Sequence, residues 1–187
     1  LEYLTGKEPA VTQHWVQLAE CYEGLNEKSL LAKTDQKIIS LDKDNVGAHR
    51  RLARYYLEKG NKESAFTHYK RVSLLDPKDA EAFENLYKMA IERGDKAEAT
   101  IFARKYLQLK PDDANAYKDL GDLYYEQKKN DAALDAYRKV IKLDPTVRGF
   151  YKRYADVVIA KGLESEVIKA LSVLIESGDA DMSSYTT

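Results

Sequence analysis

The chain has 187 residues, with 30 Lys and Arg against 31 Asp and Glu, and therefore a formal net charge of −1. Hydrophobic residues make up 44% and charged residues 33%, a balance that predicts a folded chain and argues against disorder. Without a basic excess there is no long-range field to attract phosphate backbones, so we expect no nucleic-acid binding. No apolar run approaches the ~18 residues that span a bilayer, so no membrane contact is expected.

Cysteine and histidine are too sparse to predict a metal site. Cys21 is the single cysteine, and we expect it to pack as a small apolar residue. His14, His49 and His68 have no Asp, Cys or second His at metal-ligand spacing, so each is interpreted as a surface or packing residue. Phosphate-binding loops, nucleophile elbows and zinc-protease motifs do not occur. We therefore predict no metal, no cofactor, no catalytic residue and no enzyme activity.

A period of 34 residues runs through the chain. Pro77, Pro111 and Pro145 are 34 residues apart, and Pro9 lies two periods before Pro77. Such a period is the sequence signature of a repeat architecture, in which each repeat packs on its neighbours. The period predicts five full rows without insertions: 12–45, 46–79, 80–113, 114–147 and 148–181.

Each row predicts two amphipathic helices. Apolar residues recur at row positions 4, 7, 8 and 11, and the same spacing returns at positions 20, 24 and 27. Offsets of three and four residues place these side chains on one helical face. Row four shows the pattern most completely, with Tyr117, Leu120, Gly121, Tyr124, Ala133, Tyr137 and Val140.

Turn and capping residues separate the predicted helices. Left-handed turn residues are expected between the two helices of a row, at Asn26, Gly60, Gly94, Lys128 and Gly162. Asn45, Asp79 and Asp113 are predicted to cap the first helix of the next row, because their side chains can accept from free N–H groups. Val147 breaks this capping pattern.

The repeat resembles the tetratricopeptide-repeat family, and the resemblance covers residues 12–181. The family has an aromatic residue at position 4, Leu at 7, Gly or Ala at 8, Tyr at 11, Ala at 20, an aromatic residue at 24 and Pro at 32. It implies an all-α fold, a right-handed α-solenoid of antiparallel helix pairs that form a superhelix. Residues 1–11 are then interpreted as the end of a preceding repeat and 182–187 as the start of a following one. We expect a segment of a longer array, whose cut ends would allow self-association.

Rows one and three depart from this pattern. Row one has Leu31 in place of a small residue, Asp35 in place of the second-helix aromatic residue and Lys43 in place of Pro, so we expect it to be the loosest row. In row three the small and the large residue are exchanged, with Tyr87 at position 8 and Ala90 at position 11. This exchange nearly conserves volume and is interpreted as local repacking.

The resemblance implies a concave binding surface lined by positions 2, 5, 9, 12 and 13 of the first helices. Position 12 is apolar in four consecutive rows, which indicates either contact with a partner or partial cover by the next row. The charged residues around it have mixed signs, and the arginines of row two are also compatible with a solvated face. Asp119 argues against capture of an anionic chain terminus. The predicted partner-binding residues are Arg50, Arg54, Leu57, Lys88, Ile91, Lys118, Asp122, Tyr125 and Ile159.

The function predicted from these observations is a non-enzymatic scaffold that binds a peptide or protein partner in the groove. The alternative is the substrate-recruiting region of a larger enzyme, as in glycosyltransferases that resemble this chain in their repeats. An RNA-binding helical repeat is disfavoured by the period and by the neutral charge, and a simple spacer is the remaining alternative. No cellular compartment is predicted.

Overall fold

A computed structural model describes residues 2–7, 11–163, 165, 166, 168, 172 and 175, and every element in these residues is an α-helix. Pro9, most of the expected second helix of row five and the expected start of a further repeat at 182–187 lie outside the described residues. The described helices, in chain order, are α1 (Glu2–Lys7), α2 (Thr12–Gly24), α3 (Lys28–Leu41), α4 (Val46–Glu58), α5 (Lys62–Leu75), α6 (Ala80–Glu92), α7 (Lys96–Leu109), α8 (Ala114–Glu126), α9 (Asn130–Leu143) and α10 (Tyr151–Ala160).

The helices follow the period of the sequence. The first helices α2, α4, α6 and α8 each contain 13 residues and begin 34 residues apart. The second helices α3, α5, α7 and α9 each contain 14 residues. Because short turns join helices that pack on each other, successive helices from α2 to α5 and from α7 to α10 are antiparallel. The predicted all-α fold of helix pairs, the α-solenoid class, is confirmed.

Two compact units divide the chain, Leu1–Met89 and Ala90–Thr187. In the first unit α2 packs on α3, α3 on α4 and α4 on α5. In the second unit α7 packs on α8, α8 on α9, and α10 on both α8 and α9. The core of the second unit is built largely from repeat-face residues, among them Ala133, Tyr137, Val140, Tyr154 and Val158, and it also contains Phe150.

A small residue at row position 8 makes room for the aromatic ring at position 24 of the same row. A Cβ atom added to Gly121 would lie 2.4 Å from Cε1 of Tyr137. That ring is fully buried, and its hydroxyl group donates a hydrogen bond to Asp122 Oδ1 at 2.8 Å. The equivalent ring of row two, Tyr69, is 1% exposed. In rows two and four the aromatic side chain at position 24 is therefore a core element.

The predicted turns and caps are confirmed. Asn26 and Lys128 have φ values of 57° and 59°, in the left-handed region that glycine occupies at the other turns. Asn45 Oδ1 accepts from the backbone N–H of Ala48 at 3.0 Å, and Asp79 and Asp113 cap α6 and α8 in the same way. These side chains satisfy N–H groups that have no acceptor inside the helix.

The first helix of row five begins later than its row does. The helix α10 begins at Tyr151, although its row begins at residue 148, and no side chain caps it from Phe150. Residue Gly149 precedes it with a φ of 82°.

The prediction that Cys21 packs as a small apolar side chain is wrong. Cys21 is exposed. It occupies row position 10 of α2, beside the repeated apolar face and not on it, so the local spacing turns it away from the core.

Candidate functional site

The arginines predicted to bind a partner in row two are held by carboxylates of the first unit. Arg50 Nε donates to Asp79 Oδ2 at 2.6 Å, and Arg54 Nε donates to Glu81 Oε1 at 2.6 Å. The hydrogen bonds and charge of Glu81 raise the pKa of Arg54, and those of Arg54 lower the pKa of Glu81. The first helix of row two is therefore not a free basic patch.

A third arginine of α4 forms a buried ion pair. Arg51 Nη2 donates to Asp35 Oδ1 at 2.6 Å, and its Nε donates to Asp35 Oδ2 at 3.0 Å. Asp35 is fully buried, and the Arg51 side chain is 16% exposed. Burial raises the pKa of Asp35, while the hydrogen bonds and charge of Arg51 oppose that shift. From the sequence Asp35 was recognised only as a departure from the repeat, and its pairing with Arg51 was not predicted. The sequence did contain a signal for this ion pair, because an acidic residue stands at position 24 and an arginine at position 6 of the next row.

An open cavity of about 170 Å³ lies beside this ion pair in the first unit. Residues from α2, the turn that follows it, α3 and α4 form its walls. They are Tyr22, Glu23, Asn26, Lys28, Leu31, Ala32, Asp35, Arg51, Arg54, Tyr55 and Glu58.

In the second unit Asp122 is the centre of a polar cluster. Besides the Tyr137 hydroxyl group, it meets Arg153 Nη1 at 2.9 Å and Lys118 Nζ at 3.5 Å. The structure thus brings together Lys118 and Asp122, both predicted to bind a partner. On α8 one turn later, the Tyr125 hydroxyl group donates to Asp156 Oδ2 of α10 at 3.0 Å.

The predicted apolar residues of position 12 differ in exposure. Ile91 is 39% exposed and Ile159 is 52% exposed, whereas Leu57 and Tyr125 are half-buried. Tyr125 packs against the core of the second unit. Lys88, the remaining predicted residue, is exposed and pairs with Glu84 Oε1 at 2.5 Å. The apolar residues at row position 12 therefore do not all behave alike. Tyr125 is partly covered by its neighbours, whereas Ile91 and Ile159 are exposed on the surface.

Two open depressions flank α8 in the second unit. One is lined by Ile91, Lys96, Asp119, Asp122 and Glu126, and the other by Tyr125, Glu126 and Asp156 together with residues of α10. Carboxylates outnumber cations along these walls.

Two histidines that the sequence analysis treated separately form a pair in the first unit. The Nδ1 atoms of His49 and His68 lie 2.9 Å apart, and His49 Nε2 lies 3.0 Å from the carbonyl oxygen of Lys43. A carbonyl oxygen only accepts, so His49 carries a proton on Nε2, and one of the two Nδ1 atoms donates to the other. Tyr56 stacks on His68 with an interplanar angle of 7°. Burial, and then the neighbouring His49, lower the pKa of His68 to about 4.

Among the residues that the structure describes, no group of three or more His, Cys, Asp or Glu side chains could hold a metal ion. None of the helices within these residues is both long and apolar enough to cross a membrane.

Comparisons with known proteins agree with the observed repeat. Models described as tetratricopeptide repeat match residues 50–114 and 114–147. No curated protein matches the chain at a significant level. Among solved structures, MamA is 22% identical, with a TM-score of 0.66 and coverage of 94% of this chain and 96% of that chain. YrrB is 15% identical, with a TM-score of 0.73 and coverage of 97% and 93%. PilF from Pseudomonas aeruginosa is 18% identical, with a TM-score of 0.57 and coverage of 94% and 80%. These structures share the fold, and the chain belongs to the tetratricopeptide-repeat family.

Proposed function

We propose that this chain is a non-enzymatic scaffold that binds a peptide or protein partner through the first helices of its repeats. Tetratricopeptide-repeat proteins are generally non-catalytic scaffolds with peptide or protein partners. The structural relative YrrB is described as a protein with an unusual peptide-binding site. We also propose the row boundaries given above, because α2, α4, α6 and α8 begin at the first residues of their rows.

The observation that carries the proposal is the surface along α8 in the second unit. Side chains at the repeat-face positions of α8 and α10, such as Leu120 and Val158, are buried, so core packing already accounts for them. Ile91 and Ile159 lie outside that face and are exposed, and Ile91 lines the depression that contains Asp119, Asp122 and Glu126. We propose that an extended segment with apolar and basic side chains binds here, with Lys118, Asp122 and Tyr125 as further contacts.

Within the first unit by itself, the proposed contacts are Leu57, Lys88, Arg50 and Arg54. The two arginines already donate to Asp79 and Glu81, so their free hydrogen-bonding capacity is reduced. We therefore expect substitution of Leu57 to weaken binding more than substitution of either arginine. Buried apolar anchors usually contribute more to an interface than exposed charge pairs do.

Peptide selection with the whole chain tests this proposal. Peptides from a random displayed library would be synthesised, and their affinities measured by fluorescence anisotropy for the wild type and for an Ile91→Ser, Ile159→Ser variant. We expect the variant to bind about tenfold more weakly, since each substitution removes exposed apolar contact area.

The matched control is Ile101→Ser, because Ile101 is 58% exposed but lies on α7, a second helix of the same unit. The control should bind as the wild type does. Equal weakening by both variants, or the failure to select any binding peptide, would contradict the proposal.

A further inference from the structure

Two imidazole rings meet head to head where α4 packs on α5 in the first unit. The Nδ1 atoms of His49 and His68 lie 2.9 Å apart, and the ring centroids lie 5.1 Å apart. This centroid separation is close to the Nδ1–Nδ1 distance extended at each end by the distance from the nitrogen to its own ring centre. Each Nδ1 atom therefore directs its in-plane bonding orbital almost straight at the other ring.

The pair is a polar junction without a carboxylate. His49 is buried and His68 is half-buried, and one proton on the Nδ1–Nδ1 axis joins the two rings. Among the described residues, neither ring makes a hydrogen bond or an ion pair with Asp or Glu. No nearby anion therefore compensates a large positive charge at this place.

Opposed imidazole nitrogens on one line are the ligand arrangement of a linear two-coordinate metal ion. Monovalent ions with a filled d shell, Cu(I) and Ag(I), form such complexes with two imidazoles, whereas Zn(II) prefers four ligands in a tetrahedron. Imidazole is also a ligand that suits copper. Because both ligands are uncharged and no carboxylate is at hand, a monovalent ion fits this place better than a divalent one.

The rings must move apart before an ion fits between them. Two metal–nitrogen bonds of about 2 Å place the ligating atoms about 4 Å apart in a linear complex, so the Nδ1 atoms must separate by about 1 Å from their 2.9 Å. Tyr56 stacks on His68 with an interplanar angle of 7°. A slide of the His68 ring in its own plane therefore lengthens the Nδ1–Nδ1 distance and keeps this stack.

The outer nitrogen of His49 is already held as in a metal ligand. Histidines that bind metals almost always donate their second N–H to a carboxylate, a backbone carbonyl group or water, which fixes the tautomer and the ring orientation. His49 Nε2 donates in this way to the carbonyl oxygen of Lys43 at 3.0 Å. The proton displaced from the axis can move to Nε2 of His68, which makes no hydrogen bond to the described residues.

We propose that His49 and His68 bind one Cu(I) ion between their Nδ1 atoms, in linear coordination, and that the ion cross-links α4 and α5 of row two. The two residues lie 19 positions apart, which is not a metal-ligand motif, and the packing of α4 on α5 brings them together. The inference does not rest on the proposed function, because no peptide takes part in this site.

The first experiment measures Cu(I) binding to the whole chain by competition with bicinchoninate, without oxygen and with ascorbate present. The parent protein carries Cys21→Ser, because the exposed thiol of Cys21 would bind Cu(I) by itself. We expect one Cu(I) ion per chain. Since loss of an outer-shell partner alone commonly lowers metal affinity about 10–100-fold, His68→Phe should weaken binding by more than about 100-fold.

The matched control is His14→Phe, because His14 is the remaining histidine of the chain, is also half-buried and lies on α2, outside the pair. This control should bind Cu(I) as the parent does. Absence of Cu(I) binding in the parent, or equal binding by the parent and His68→Phe, would overturn the proposal. Tighter binding of Zn(II) than of Cu(I) would contradict the linear monovalent site.

A second measurement needs no substitution in the pair and stays valid where His68→Phe does not fold. The parent with ¹⁵N-labelled histidine is titrated with Ag(I) in a buffer without chloride, and the ring nitrogens are followed by NMR. The Nδ1 signals of His49 and His68 should both shift and show coupling to silver, while the signals of His14 stay unchanged. Silver coupling at Nε2, or a response of His14 in place of the pair, would refute the assigned ligands.

Discussion

Replacing Gly121 by Ala tests the packing between row positions 8 and 24. The added Cβ atom would lie 2.4 Å from Cε1 and 2.6 Å from Cδ1 of Tyr137, well inside normal contact distance. The ring cannot easily move, because its hydroxyl group is bonded to Asp122 and its face meets Phe150 with ring centroids 5.3 Å apart. Gly121→Ala should therefore strain the core of the second unit.

Two opposing contributions set the magnitude. Overpacking a core commonly costs about 1–3 kcal/mol, and the close contact with a fully buried ring places this site near the upper end. Alanine gains about 1 kcal/mol over glycine inside a helix. We expect a net loss of about 1–2 kcal/mol in the free energy of unfolding.

Urea unfolding followed by circular dichroism measures this loss. In a Tyr137→Ala background the ring is absent, so Gly121→Ala should become stabilising by about 1 kcal/mol. Gly47→Ala is the matched control, since the nearest atoms to its added Cβ lie at 3.5 and 3.6 Å, which is ordinary contact. Stability of Gly121→Ala equal to or above that of wild type would refute the packing argument.

Three further predictions concern stability. Leu120→Ala should cost about 2–5 kcal/mol in urea unfolding, because Leu120 is 6% exposed in the core, and a wild-type midpoint would refute the assigned helical face. Arg51→Met should cost about 3–5 kcal/mol, because it leaves the Asp35 carboxylate buried without its partner. The double variant Arg51→Met, Asp35→Leu should recover part of that loss. A double variant with the same urea midpoint as Arg51→Met alone would contradict the explanation that an unpaired buried carboxylate causes the loss. Since the folded-state pKa of His68 is lowered to about 4, the unfolded chain binds a proton first. Stability should therefore fall as pH decreases from about 6.5 towards 4, by at most about 1.4 kcal/mol per pH unit. A His68→Phe variant should lack this dependence, and an unchanged pH profile would contradict it.

The helical organisation was predictable from sequence because its causes are local. The 34-residue period, the spacing of apolar residues along each helix and the cap at Asn45 involve neighbours a few residues apart. Such short-range patterns determine where helices begin, end and bury a face.

The candidate site was only partly predictable. The first-helix positions of Ile91 and Ile159 followed from the repeat, and the structure exposes both side chains. The pairing of Arg54 with Glu81 was missed, because a charged residue in a sequence does not show which partner it meets. The apolar interpretation of Cys21 was wrong because one residue of offset on a helix turns a side chain by about 100°.

By itself the sequence determined the class of fold, the repeat length and the faces that pack, because a regular period repeats the same local physical solution along the chain. Only the tertiary structure decided that Asp35 meets Arg51, that His49 meets His68 and that an open cavity lies beside the Asp35–Arg51 pair. These features join different helices, and their energies depend on burial and on distances of a few ångströms. Burial and the distances between side chains on different helices cannot be deduced from the order of the residues alone.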